Sequence, residues 1–139
     1  MKKKSFQSKY GLAAVNAVEL LQSYPGLGPV EAWERSTMRL FGNCSSQNKG
    51  CPKGAFLGLC EEGLVKGVKR GQYTKSQKNK EYALRAIKYL RNHFEVESIE
   101  ITDAWDFVTS GSGLTHNGQM DVVFALKEKG LFMVSSFKS

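Results

Sequence analysis

Glu31-Ala-Trp-Glu34 returns 72 residues later as Asp103-Ala-Trp-Asp106, and this recurrence decides the fold. The same offset aligns Tyr10-Gly-Leu-Ala-Ala-Val15 with Tyr82-Ala-Leu-Arg-Ala-Ile87, so that a tyrosine precedes a tryptophan by 23 residues in both copies. Self-similarity at a fixed spacing indicates a structural unit that occurs more than once. The chain is therefore predicted to contain one unit twice.

Beyond the tryptophans the second copy is five residues shorter, and Leu59–Val65 then aligns with Leu126–Phe132. The repeats are predicted to span residues 8–65 and 76–132 within a single domain of residues 1–139, joined by a basic connector, residues 66–75. The connector alternates apolar and basic residues around two glycines, a pattern that suits an extended segment or a short hairpin.

Each copy is expected to form three helices. In residues 8–23 the apolar side chains recur at helical spacing, which predicts one buried face. Pro29 suits the first position of a second helix. A third helix is predicted from Pro52 to Glu62, with Gly63 after its end, and its counterpart stops before Gly130. The predicted fold class is all-α, with two diverged three-helix repeats packed around a pseudo-twofold axis.

The charge of the chain is concentrated in its middle. Its 139 residues carry a net charge of +7, and residues 66–94 contain nine Lys and Arg against Glu81 alone. Residues 95–139 carry three basic and seven acidic side chains. No apolar run approaches the roughly 18 residues that cross a bilayer, and the basic start is not followed by an apolar stretch. A cytoplasmic protein without membrane contact is expected.

The basic segment is the main candidate for function, since clustered cations suit contacts with phosphate groups. The favoured hypothesis is a non-enzymatic binding module that contacts an acidic partner, nucleic acid or an acidic protein, through residues 66–91. The candidate binding residues are Lys66, Lys69, Arg70, Tyr73, Lys75, Lys78, Arg85 and Lys88. The alternatives are a solvated face paired with the acidic residues that follow, and a protein-interaction or homo-oligomeric adaptor, such as a homodimer.

Catalytic and metal chemistry are weakly indicated. Cys51 precedes Pro52 and lies between two lysines, conditions that favour a thiolate, and His116 is a candidate base for a cysteine-dependent enzyme. The opposing interpretation is an inert thiol at a helix start, because no third group orients the pair. The spacing of the three cysteines, with Cys44 first and Cys60 in a helix, does not resemble a zinc site. No metal and no cofactor is expected, and nucleotide-binding glycine motifs are absent.

Two stretches, Lys9–Leu21 and Cys51–Val65, resemble an uncharacterised family of short bacterial helical proteins, some of which travel as mobile gene cassettes. The resemblance covers most of the chain. It implies no activity, cofactor or catalytic residue.

Overall fold

The computed structural model describes residues 9–42, 50–92, 101–112 and 118–133. Within these ranges the backbone forms helices and no strand; the only β-type contact there is an isolated antiparallel bridge between Val65 and Phe132. The predicted all-α class is confirmed, and the connector is an irregular, non-helical segment. The helices are α1 (Lys9–Ser23), α2 (Pro29–Phe41), α3 (Gly50–Glu61), α4 (Gln77–Asn92), α5 (Ile101–Val108) and α6 (Gln119–Glu128).

The predicted boundaries of the third helices need a small correction. In the first copy, α3 begins at Gly50, two residues before Pro52. Proline is compatible with this position because the first turn of a helix needs no N–H from it. Cys51 thus belongs to the first turn of α3 and does not precede the helix. In the second copy α6 begins at Gln119, after Gly118 in a left-handed conformation.

The two third helices end in the same way, as predicted from their glycines. Gly63 and Gly130 have φ angles of 72° and 68°. In each copy the residue after the glycine donates its N–H to a carbonyl in the last turn: Leu64 to Leu59 O at 3.2 Å, and Leu131 to Leu126 O at 2.9 Å. This is the helix-ending motif that glycine favours, since a left-handed residue is unstrained only without a Cβ.

Both tryptophans are buried in the core. Trp33 is 1% exposed and Trp105 is 6% exposed. Four residues after each, a threonine hydroxyl donates to the tryptophan carbonyl, Thr37 at 2.9 Å and Thr109 at 2.8 Å. Burial of such large apolar rings is among the strongest stabilising contributions that a helix of this length makes.

Part of the packing among the described helices is what a twofold relation between the copies predicts, but α4 also packs on α6 with no comparable contact between α1 and α3. Helix α1 packs on α6 and α4 packs on α3, while α1–α2 and α4–α5 are the pairs within each copy. The bridge joins residues that the alignment makes equivalent. On one side of it Lys66 N–H donates to Leu131 O, and on the other Met133 N–H donates to Leu64 O, both at 2.8 Å. Superposition of the two copies remains a prediction.

Two glycines allow α3 and α4 to approach closely. A Cβ placed on Gly58 would lie 2.8 Å from Lys80 Cα, and one on Gly54 would lie 3.0 Å from Asn79 Cβ. Small residues four apart on one helix face permit such contact between backbones. The approach brings the start of α4 beside the end of α3, which positions the connector between them. Among the described helices none is long and apolar enough to cross a bilayer.

Candidate functional site

The connector is anchored by one buried carboxylate at the end of α3. The Glu61 side chain, 6% exposed, accepts hydrogen bonds from the backbone N–H groups of Tyr73 at 2.7 Å and Thr74 at 2.8 Å. It also accepts one from the Lys80 ammonium at 2.8 Å. The Glu61 backbone carbonyl accepts the N–H of Gly71 at 3.3 Å. The second half of the connector is therefore held on the end of α3.

The charges at this anchor stabilise each other. Burial by itself would raise the pKa of Glu61, but the hydrogen bonds from Lys80, Thr74 and Tyr73 outweigh it and hold that pKa below its ordinary value. Lys80 also pairs with Glu62 at 2.7 Å, and its hydrogen bonds to the two carboxylates raise its pKa. Both groups are ionised at neutral pH, so Lys80 is fully engaged inside the protein.

The first half of the connector is also hydrogen-bonded. Lys66 accepts a hydrogen bond on its carbonyl from the Gln22 side chain of α1 at 3.4 Å. Val68 N–H donates to Val65 O at 3.2 Å, which closes a turn at Gly67. The Tyr73 hydroxyl donates to Lys69 O at 2.6 Å. Backbone contacts at both ends give the connector a defined path, so its side chains leave from fixed positions.

The predicted binding residues divide into two groups by their contacts. Arg70 lies 3.9 Å from Glu62, and Arg85 lies 3.4 Å from Glu81 and donates to Val108 O at 2.9 Å. The other cations are exposed and form no ion pair within the part of the chain that the structure describes. They are Lys66, Lys69, Lys75, Lys78 and Lys88.

Three cations of α4 lie on its outward face, whereas Lys80 on the same helix pairs with Glu61 and Glu62. Lys78, Arg85 and Lys88 recur at i, i+7 and i+10, and all three are exposed. The buried side of the same helix carries Ala83, Ala86, Ile87 and Leu90. Helical geometry therefore puts the basic stripe opposite the core, on the solvent side. This stripe and the exposed cations of the connector, Lys66, Lys69, Arg70 and Lys75, are together called the basic surface.

One alternative is that the basic segment pairs with the acidic residues that follow it in the sequence. Glu95, Glu97 and Glu100 lie outside the described residues. Asp103 and Asp106 on α5 are exposed and make no ion pair with any residue in the described ranges. Among the described carboxylates, Glu61, Glu62 and Glu81 pair with cations of this segment.

A wide surface depression of about 1010 Å³ lies where the connector meets α3 and α4. The residues that line it include Arg70, Lys75, Gln77 and the Glu61–Lys80 pair. Lys80 is neutralised by Glu61 and Glu62, and Arg70 lies 3.9 Å from Glu62, so Lys75 is the cation of this depression that has no ion pair among the described residues. The depression is open and polar, unlike the enclosed apolar pockets that take small organic ligands.

The two cysteines that the structure describes, Cys51 and Cys60, differ in burial. Cys60 is fully buried, and burial raises the pKa of its thiol far above its ordinary value, so its thiolate is suppressed. Cys51 is half-buried in the first turn of α3. His116 and Cys44 lie outside the described residues, so the Cys51–His116 pairing stays a prediction. No group of metal-ligating side chains occurs in the described ranges.

Two residues important to this site were missed in the sequence. Glu61 and Lys80 are 19 positions apart, and their pairing depends on the close approach of α3 and α4. The local signal was a Glu-Glu pair directly before Gly63, at the negative end of a helix where carboxylates are disfavoured. An acidic residue in that position needs a cation or several N–H donors, and Glu61 has both.

A protein-family comparison gives one match: a family of unknown function (DUF6979), whose model covers residues 7–133. No curated protein and no solved structure matches the chain.

Proposed function

We propose that this chain, which belongs to the DUF6979 family of unknown function, is a non-enzymatic protein that binds the phosphate backbone of nucleic acid through the basic surface. A cytoplasmic location is part of the proposal, because two free thiols suit a reducing compartment. The proposal names phosphate as the recognised group, since lysine ammonium groups bind phosphate as point charges.

The observation that carries the proposal is the exposure of five lysines without carboxylate partners among the described residues. Paired surface charges are already neutralised and gain little from a further anion. Unpaired lysines keep their full charge and attract a polyanion, with release of the counterions condensed on it. Lys80, which is partly buried, is engaged with Glu61 and Glu62 and adds nothing to this surface.

The anchoring of the connector supports the same proposal. A mobile loop loses conformational entropy when it binds, whereas a connector held by Glu61 and by Leu131 O presents its lysines already in place.

The adaptor hypothesis has less support from the described residues. Few large apolar side chains are exposed among the described residues, and single exposed apolar residues are normal on a protein surface. They are Leu12, Tyr24, Met38, Phe107 and Met133. An acidic protein partner would use the same basic surface, and the binding test below separates it from nucleic acid.

Reversing the charge of Lys69, Lys75 and Lys78 to glutamate is expected to abolish binding to nucleic acid at low salt. All three side chains are exposed and unpaired within the described ranges, so folding is expected to change little. Fluorescence anisotropy with labelled DNA and RNA measures the binding, and circular dichroism checks the fold.

The matched control reverses Arg35, Arg39 and Lys129, which are exposed and lie on α2 and just after α6. This variant has the same net charge as the first and is expected to keep binding. Equal loss of binding in both variants would contradict a localised surface and show only an effect of net charge. Absence of wild-type binding to both DNA and RNA at low salt would leave the protein-partner hypothesis first.

A further inference from the structure

We infer that the nucleic acid bound by the basic surface is a duplex and not a single strand. The inference rests on the proposed function and deepens it. Proteins that bind single strands combine a basic groove with aromatic rings on which successive bases stack. The basic segment contains three tyrosines among its cations: Tyr73, Tyr82 and Tyr89. Whether their rings are free to stack on bases therefore distinguishes a single strand from a duplex as the ligand.

Tyr73, the aromatic residue of the connector, is engaged by the protein itself. Its backbone N–H is held by Glu61, and its hydroxyl is held by Lys69 O at 2.6 Å. A Cβ placed on Gly71 would lie 2.8 Å from the Tyr73 hydroxyl oxygen, so the ring lies directly against the connector backbone. The side chain is half-buried and serves to shape the connector.

The two tyrosines of α4 also face other rings. Tyr82 meets Trp105 edge-on, with ring centroids 5.1 Å apart, and Tyr89 packs on Phe107 at 5.2 Å. Both tyrosines are half-buried and pack against the core. Phe107 itself is 45% exposed, but it lies on α5 with the exposed carboxylates Asp103 and Asp106, which repel a phosphate backbone.

A surface with unpaired lysines, whose neighbouring tyrosine rings already contact the protein, binds more tightly to the nucleic acid that has the higher density of phosphate charge. A duplex carries one phosphate charge per about 1.7 Å of its axis, counting both strands, and its bases are already stacked on each other. A single strand carries fewer charges over the same length and needs stacking partners for its bases. The basic surface therefore complements a duplex, and its contacts with the backbone carry no preference for sequence.

The test compares a duplex with its isolated strand of equal length, by anisotropy at several salt concentrations. We expect affinity for the duplex to exceed that for the single strand by about twofold or more, from the doubled number of phosphates alone. With four contacts the log–log salt slopes are expected to be about −3.6 for the duplex and about −2.8 for the strand. Equal or tighter binding of the single strand would overturn this inference and leave the proposed function intact. Absence of binding to either would overturn both.

A second experiment tests whether the ring of Tyr73 or Tyr24 stacks on a base of the single strand. Tyr73→Leu and Tyr73→Phe both lose the hydroxyl contact with Lys69 O, but only the phenylalanine keeps a ring. Tyr24→Leu removes a ring that is 57% exposed at the end of α1. We expect equal single-strand affinity for the two Tyr73 variants and wild-type affinity for Tyr24→Leu. A loss confined to a variant that lacks a ring would identify a stacking residue and overturn the inference.

Discussion

Replacing Trp33 by alanine is expected to lower the free energy of unfolding by about 3–5 kcal/mol. The indole ring is 1% exposed and stacks on Phe56 with ring centroids 5.1 Å apart. Its N–H has no hydrogen-bond partner in the described part of the chain, so the expected loss comes from packing and from the cavity that remains. Urea unfolding followed by circular dichroism measures the change.

The second tryptophan and an exposed ring serve as comparisons. Trp105→Ala is expected to cost a similar amount, because Trp105 is 6% exposed and occupies the corresponding position in the second copy. Tyr24→Ala, at a ring that is 57% exposed, is expected to change stability by no more than about 0.5 kcal/mol. Loss of stability for only one of the two tryptophans would contradict the equivalence of the copies.

Replacing Glu61 by alanine is expected to destabilise the protein by about 3 kcal/mol at neutral pH. Removing one member of a buried ion pair leaves its partner uncompensated, and here it also orphans two backbone N–H groups. Lys80 keeps its contact with Glu62, which places the expected cost at the lower end of the range for such pairs. Equilibrium unfolding of the variant and the wild type provides the measurement.

The acid dependence of this difference has a defined sign. The folded-state pKa of Glu61 lies below its ordinary value, so the stability that it contributes is present above the unfolded-state pKa and is lost as pH falls through the folded-state pKa. The gap between wild type and Glu61→Ala should therefore shrink in acid. Glu62→Ala is the control: its side chain is 35% exposed, and a small effect of about 0–1 kcal/mol is expected. Equal losses of stability in Glu61→Ala and Glu62→Ala would contradict the anchoring of the connector by Glu61.

The features of the fold that could be predicted from the sequence are local. The glycines that end α3 and α6 were identified because a left-handed residue followed by an apolar pair is encoded within a few positions. The start of α2 was identified from Pro29, which fixes its own backbone angle. The two tryptophans were matched because their spacing from a tyrosine is the same in both copies.

The features that could not be predicted depend on contacts between distant segments. In the sequence, Gly54 and Gly58 only lower the helix propensity of α3. Their role, which is to leave room for α4, is visible only in the packed structure. The start of α3 was placed two residues late because Pro52 is equally acceptable at several positions of a first turn.

The candidate site shows the same division. The cluster of cations in residues 66–88 was visible in the sequence, since charge is a property of composition. The Arg85–Glu81 pair is an i,i+4 pair within one helix and could be predicted, whereas Arg70 and Lys80 find their carboxylate partners only through the fold. Tyr73 is among the predicted binding residues, but its hydroxyl donates to Lys69 O within the connector, a contact that the sequence does not reveal.

The most direct test of the central claim, that exposed lysines of the basic surface bind nucleic-acid phosphates, is the salt dependence of wild-type affinity for duplex DNA. Each phosphate that is neutralised contributes roughly −0.9 to the log–log slope, so four contacts predict a slope near −3.6. A linear decrease in log affinity with a slope close to this value is the predicted result. Affinity that does not depend on salt, or no detectable binding at about 50 mM salt where such contacts are strongest, would contradict the claim.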